Sequence, residues 1–159
     1  TDTLESIEYL TGSNYHDTLA GNNIANILNG GLGNDTLMGG LGNDLLTGGA
    51  GQDIFVFDTA LNGATNKDTL NDFNAADDTL WLDRDIFTSL AEGSLAAGNF
   101  RSGAGVTTAA DADDYLIYNT TNGYLYYDAD GNGGGATAIQ FATLSTHPAI
   151  TAADFMGVA

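Results

Sequence analysis

The sequence has no cysteine, one proline and three basic side chains, Lys67, Arg84 and Arg101. The lack of cysteine excludes a disulfide framework and thiol chemistry, which fits the cytoplasm and equally an export route that bypasses oxidative folding. A single proline beside 22 glycines means that glycine serves turns here and does not mark a disordered Pro/Gly linker. Three basic residues against 21 acidic ones leave a formal net charge of −18. Such a field repels nucleic acid and anionic membrane surfaces, and it opposes compaction until cations neutralise it. No apolar run approaches the roughly 18 residues of a membrane-spanning helix. Thr1-Asp2-Thr3-Leu4 offers neither Met nor a basic stretch, so no signal peptide is expected and the chain reads as a segment of something longer. His16 and His147 stand far apart without ligand spacing, and there is no HExxH and no Ser/His/Asp order tied to a nucleophile turn. An enzyme is not expected.

What the chain has is a nine-residue phrase repeated without a break. Gly30-Gly31-Leu32-Gly33-Asn34-Asp35-Thr36-Leu37-Met38 is followed by Gly39-Gly40-Leu41-Gly42-Asn43-Asp44-Leu45-Leu46-Thr47 and by Gly48-Gly49-Ala50-Gly51-Gln52-Asp53-Ile54-Phe55-Val56. Each copy fits G-G-x-G-x-D-x-U-x, where U is large and apolar. The glycines permit a tight turn and the last three residues a short strand. One copy cannot bury its single apolar side chain, but stacked copies can. Counting back by nines adds two degenerate copies, 21–29 and 12–20, which keep the leading glycine and the apolar position at Leu28 and Leu19. Leu19, Leu37 and Phe55 are expected on one side of the stack, Leu28 and Leu46 on the other. Leu4, Ile7 and Leu10 are read as an earlier coil.

If two copies make one coil, Asp35 and Asp53 lie about one strand spacing apart, roughly 4.8 Å. Carboxylates that close repel unless a cation sits between them. Turn carbonyls beside them add further hard oxygens, and the absence of His and Cys from the set specifies Ca²⁺ rather than Zn²⁺ or a redox metal. The competing expectation is that each Asp only closes its own turn.

Beyond Val56 the register is lost, and 58–67 is read as a polar loop. Residues 68–82 are read as strand, turn and strand, with Phe73 and Trp81 covering the open end of the stack. Asp83 to Leu90 predicts a short helix, and Gly98 to Ala112 a loop. Asp114–Asn119 and Gly123–Asp128 flank an Asn122-Gly123 hairpin signal. Ala136–Leu144 is read as a third strand and Ile150–Phe155 as a terminal turn or helix. Tyr115, Tyr118, Tyr124, Tyr126 and Tyr127 either pack across strands or present a sugar-binding face. Asp128-Ala129-Asp130-Gly131-Asn132-Gly133 has the opening of an EF-hand loop, but Ile139 stands where the bidentate Glu is needed, which favours an acidic turn.

The five copies, the 68–82 segment and Ala153-Asp154-Phe155 resemble the C-terminal region of repeats-in-toxin (RTX) proteins: haemolysins, serralysin-type proteases, lipases, adhesins and the R-modules of alginate epimerases. The resemblance implies an all-β fold, a right-handed parallel β-roll over 1–82, and a small β-rich cap with a short helix over 83–159 that also carries a secretion signal. It implies several Ca²⁺ ions, each held by the Asp and the carbonyls at positions 2 and 4 of one copy, with the Asp and the carbonyls at positions 1 and 3 of the copy two further on. One site then uses Gly31, Gly33 and Asp35 with Gly48, Ala50 and Asp53. Another uses Ser13, Tyr15 and Asp17 with Gly30, Leu32 and Asp35. A weaker one joins Asn22, Ile24 and the uncharged Asn26 to Gly39, Leu41 and Asp44. Gly40, Gly42 and Asp44 face Phe57, Thr59 and Asn62, where the motif dissolves. Gly49, Gly51 and Asp53 are completed by Asp68 and Asp72, and Asp78 matches a later family acid or holds its turn.

The function expected on this basis is that of a non-enzymatic calcium-binding module. It forms the C-terminal region of a larger protein exported by type I secretion machinery and folds outside the cell. The alternative is a carbohydrate-binding module like an epimerase R-module, against which the net charge weighs if the glycan is anionic.

Overall fold

A computed structural model describes residues 8–159. Of the proposed first coil, Leu4 and Ile7 lie outside the described residues, while Leu10 packs against the core. The roll consists of β1 (Tyr9–Thr11), β2 (Thr18–Ala20), β3 (Ile27–Leu32), β4 (Thr36–Met38), β5 (Leu45–Ala50), β6 (Ile54–Phe57), β7 (Asp68–Leu70) and β8 (Thr79–Asp83). After it come β9 (Gly93–Ser94), β10 (Phe100–Gly103), β11 (Leu116–Asn119), β12 (Tyr124–Tyr127), β13 (Ile139–Leu144) and β14 (Phe155–Val158).

Nine residues carry the chain half-way round a coil, so successive strands alternate between two sheets. β1, β3, β5 and β7 pair in parallel in one; β2, β4, β6 and β8 do so in the other. Side chains alternate along a strand, and the apolar position of every copy points inward. Leu28, Leu46 and Leu70 form one inner row, and Leu19, Leu37, Phe55 and Leu80 the facing one, all buried. The two sides of the stack are those the nine-residue count predicts.

The end of the roll is covered differently from expectation. Phe73 is buried against Phe55, with ring centroids 5.9 Å apart. Trp81, however, lies between the inward Leu80 and Leu82 and therefore faces outward, in register with Val56 and Met156. The covering strands are β13, parallel to β7, and β14, parallel to β8. β12, β11 and β10 extend the first sheet to eight strands, and β9 extends the second to six. Both sheets thus run on past Leu82 around one core that includes Phe141 and Phe155.

Two further local expectations fail. Asp83–Leu90 is not a helix but a pair of turns, in which the Phe87 amide donates to the Asp83 carbonyl (2.8 Å) and the Leu90 amide to the Phe87 carbonyl (3.0 Å). The turns let Phe87 insert edge-on between Tyr127 and Phe141, at 5.0 and 5.2 Å. Gly98–Ala112 is not loop throughout, because β10 pairs in parallel with β11. Among the described residues, helical structure is limited to 3₁₀ turns at Ala97–Asn99, Gly131–Gly133 and Ala152–Asp154, the last closed by a Thr151/Asp154 capping box. The Asn-Gly hairpin forms as β11 and β12, with Leu116 opposite Tyr127 and Gly123 at φ 73°. Tyr118 and Tyr127 are buried and hydrogen-bonded, whereas Tyr124 and Tyr126 lie on the outer face.

Leu46 sits fully buried between Leu28 and Leu70. Leu46→Ala should cost about 2–5 kcal/mol, and Thr47→Ala, one residue on and facing outward, less than about 1 kcal/mol. Urea unfolding in saturating calcium measures both; equal losses would contradict the inward and outward assignment.

Candidate metal centre

The turns between strands stack in two columns. One flank carries loops 12–17, 30–35, 48–53 and 71–78; the other carries 21–26, 39–44 and 58–68. Within each column an aspartate bridges to the coil before it. Asp35 Oδ1 accepts from the Asp17 amide (2.8 Å), Asp53 Oδ1 from the Asp35 amide (2.9 Å) and Asp78 Oδ1 from the Asp53 amide (3.0 Å). On the other flank Asp44 Oδ1 accepts from the Asn26 amide (2.7 Å) and Asp68 Oδ1 from the Asp44 amide (3.0 Å).

The second carboxylate oxygen separates Asp35, Asp44 and Asp53 from Asp17 and Asp78. Asp17 Oδ2 turns back to its own loop, accepting from the Ser13 amide at 2.6 Å, and Asp78 Oδ2 does the same with the Asn74 amide at 2.9 Å. In Asp35, Asp44 and Asp53, which are 1%, 2% and 1% exposed, Oδ2 is buried with no hydrogen-bond partner. Closure of its own turn by Asp therefore accounts for Asp17, in the first copy, and for Asp78, beyond the last. A buried carboxylate oxygen left without a partner is costly, and nature meets that cost with a proton or a cation.

Carbonyl oxygens converge on the same points. A Cβ added at Gly30 would meet both Asp35 Oδ2 and, at 2.6 Å, the Gly48 carbonyl oxygen of the next coil. Gly12 stands in the same way between Asp17 Oδ2 and the Gly30 carbonyl, and Gly21 between Asn26 Oδ1 and the Gly39 carbonyl. From below, the carbonyls at positions 2 and 4 press upward: a Cβ on Gly31, Gly49 or Gly51 would collide with the carbonyl of Ser13, Gly31 or Gly33. Gly51 also holds φ 145°, so only glycine suits it on both counts. Among the described residues no three His, Cys, Asp or Glu side chains gather as a metal cluster. The donor set is instead carboxylate mixed with backbone carbonyl, hard oxygen throughout, which suits Ca²⁺ and not Zn²⁺. The residues present fit the ion.

The structure redistributes the acids beyond the repeats. Asp68 does not join Gly49, Gly51 and Asp53; it lies on the opposite flank above Asp44. Asp78 stands above Asp53 instead. Asp72 does reach the expected loop, taking the amides of Gly48 and Gly49 at 2.9 Å each. The cause is spacing: coils repeat every 18 residues through the copies, but Asp44 to Asp68 spans 24 and Asp53 to Asp78 spans 25. Facing Gly40 and Gly42 are Thr59, whose hydroxyl donates to the Gly40 carbonyl (2.9 Å), and Asn66, whose Oδ1 accepts from the Gly42 amide (2.9 Å). Asn62 turns into its own loop, accepting from the Ala64 amide. Asn66 was not among the expected residues. Aligning Asn66-Lys67-Asp68 on Gly42-Asn43-Asp44 by the aspartate, and not by nines, would have found it.

Burial shifts the acids strongly. Desolvation pushes Asp53 up from 3.8 to about 6, with Asp78, Asp35 and Asp72 adding repulsion. Burial likewise raises Asp35, Asp44, Asp68 and Asp78, Asp44 and Asp68 as an interacting pair. Asp17 goes the other way, lowered by the Ser13 amide and hydroxyl. Two ionised carboxylates about 5 Å apart repel by about 3 kcal/mol at an effective dielectric of about 20.

Three overlapping stretches of the sequence, 3–37, 11–46 and 21–55, match the RTX calcium-binding nonapeptide repeat. No curated protein matches the chain. Among solved structures, the AlgE6R2 subunit of the Azotobacter vinelandii mannuronan C5-epimerase is similar at 24% identity and a TM-score of 0.50, over 95% of this chain and 93% of that one. The AlgE6R3 subunit of the same enzyme is 22% identical with a TM-score of 0.45, over 98% of this chain and 86% of that one. The likeness to AlgE6R2 is one of fold.

A raised folded-state pKa means that the metal-free roll binds more protons than the unfolded chain. Its stability should be greatest below about pH 4 and fall as pH rises through the window from 3.8 to about 6 set by Asp53. Calcium-free denaturant unfolding between pH 4 and 8 measures this. Stability that rises across the window would refute the burial of these acids.

Proposed function

We propose that this chain, whose residues 3–55 are RTX calcium-binding nonapeptide repeats, is a non-catalytic module that folds when Ca²⁺ enters its turns. We place it in the C-terminal region of a larger protein exported by type I secretion. The single observation that carries the first part is the set of buried, unpartnered Oδ2 atoms of Asp35, Asp44 and Asp53.

Each slot needs oxygens from two successive coils, so it exists only when the turns are stacked. Binding free energy then becomes folding free energy. Bound Ca²⁺ supplies the positive charge that these carboxylates lack; the chain's own part is to hold hard oxygens in columns by the Oδ1-to-amide bridges. Extracellular calcium modules work at roughly 10⁻⁴ to 10⁻³ M. At the far lower free calcium of a cytosol, the repelling acids keep the chain loose enough for export. Residues 83–159 carry the export signal in this scheme, and the site of folding is outside the cell. Deleting 83–159 should then stop export of the parent, whereas export that persists would remove the secretion part and leave calcium-driven folding standing.

A second function, glycan binding, is favoured by one feature. Trp81 lies half-exposed on the outer face of the six-stranded sheet, beside Val56 and Met156 and near the polar Asn34 and Gln52. The charge of −18 selects a neutral glycan over an anionic one. A glycan array probed in calcium should then show neutral ligands that Trp81→Ala loses; a blank array removes this function.

Strand content by circular dichroism should rise cooperatively on millimolar calcium and fall on chelation. Asp53→Asn should raise the calcium midpoint about tenfold or more, since a lost charge-assisted contact is worth about 1.5–3 kcal/mol. A spectrum indifferent to calcium would end the proposal.

A further inference from the structure

The roll leaves one buried acid unexplained. Asp128 directly follows β12 in the cap, outside the nonapeptide repeats. Its amide donates to the Tyr115 carbonyl at 2.9 Å, its side chain is 5% exposed, and its Oδ1 is buried with no partner. Of the buried side-chain atoms left unpaired among the described residues, the other three are the Oδ2 atoms of the roll.

Two loops meet beside Asp128. It lines a cavity of about 400 Å³ together with Gly131, Asn132, Gly134, Thr107, Thr108 and Ala109. Asp130, two residues on, is drawn inward by its own loop: Oδ2 accepts from the Gly135 amide (2.7 Å) and Oδ1 from the Ala136 amide (3.1 Å). Gly131, at φ 57°, rests on the Asp111 and Ala112 carbonyls, so closely that a Cβ would lie 2.6 and 2.7 Å from their oxygens. Asn132 ties the two loops together, its amide donating to the Asp111 carbonyl and its Nδ2 to the Ala110 carbonyl, both at 2.9 Å. Asp114, also buried, braces the 110–114 loop by accepting from the Ala110 amide at 2.8 Å. Among the described residues no basic side chain forms an ion pair with Asp128 or Asp130. Arg101 donates to the Thr108 carbonyl (2.8 Å), and the one ion pair among the described residues is Arg84 with Glu92.

We infer that the β12–β13 connection is a calcium site separate from the nonapeptide repeats, with the carboxylates of Asp128 and Asp130 as its charged ligands. The carbonyls of Asp111 and Ala112, together with water, supply the other oxygens that a hard cation of six to eight ligands requires. The spacing Asp128, Asp130, Asn132 and Gly133 opens like an EF-hand loop, but Ile139 cannot close it. The second loop does so from across the sheet. The ion would cross-link β11 to β13 through the loops they carry, a different task from stacking coils.

Crystals of the whole chain grown in calcium, with anomalous data collected, test this directly. A peak about 2.3–2.6 Å from an Asp128 carboxylate oxygen is expected; a clear map with peaks in the roll and none at Asp128 overturns it. In solution, Asp128→Asn should bind one calcium ion fewer per chain by titration calorimetry while the calcium-driven rise in strand content persists. Unchanged stoichiometry in that folded variant also overturns the site. Should Asp128→Asn fail to fold, the wild-type map decides. A peak at Asp128 with none between the roll's turns would keep this site and sink the folding mechanism proposed for the repeats.

Discussion

One carboxylate doing two jobs holds the roll together. Asp35, Asp44 and Asp53 each accept, through Oδ1, the amide of the matching residue in the preceding coil, which fixes the coil spacing, and each carries its carboxylate into a buried turn. The first job is structural and neutral donors complete it. The second leaves Oδ2 of Asp35, Asp44 and Asp53 with nothing to bind inside the chain. Protons and divalent cations compete for that oxygen, and the raised pKa of Asp53 and the calcium fit of the turns are two expressions of the same burial.

Glycine makes this arrangement possible, for a reason beyond flexibility. Gly30 leaves room for Asp35 Oδ2 and the Gly48 carbonyl to approach each other, and Gly51 lets the chain pass over the Gly33 carbonyl. A methyl group at either place would occupy the space where oxygens meet. Sequence, turn geometry and ion chemistry therefore agree at each copy, the consistency across levels that marks a sequence specifying one structure.

The repeats were legible because their period is strict. Leu28 and Leu46 face Leu37 and Phe55 across the core, as the count of nines requires. Legibility ended where the period did. The longer connections before Asp68 and Asp78 break the count of 18, so Asp68 stands above Asp44 and not beside Asp53, and only the strand register reveals it. Leu80 and Leu82 take the inward positions of β8, and parity leaves Trp81 outside, away from the open end it was expected to cover. In β10, Phe100-Arg101-Ser102-Gly103 offers no alternating pattern, so its pairing with β11 is a tertiary effect that local propensity cannot report. The 83–90 turns follow from the need to seat Phe87 between two rings, which a continuous helix would not do.

The way the cap closes the roll has a kinetic side. β7 acquires its outer neighbour only when Ala142 reaches Asp68, and β8 only when Phe155 reaches Leu80; Thr146 anchors the junction by donating to the Phe73 carbonyl, 73 residues away in sequence. Pairings that distant form slowly, because the loop must be closed before the contact repays it. Coils built from neighbours can assemble quickly, yet the last of them stays half-covered until the tail arrives. The final strands thus act as a late latch over the last coil of the roll.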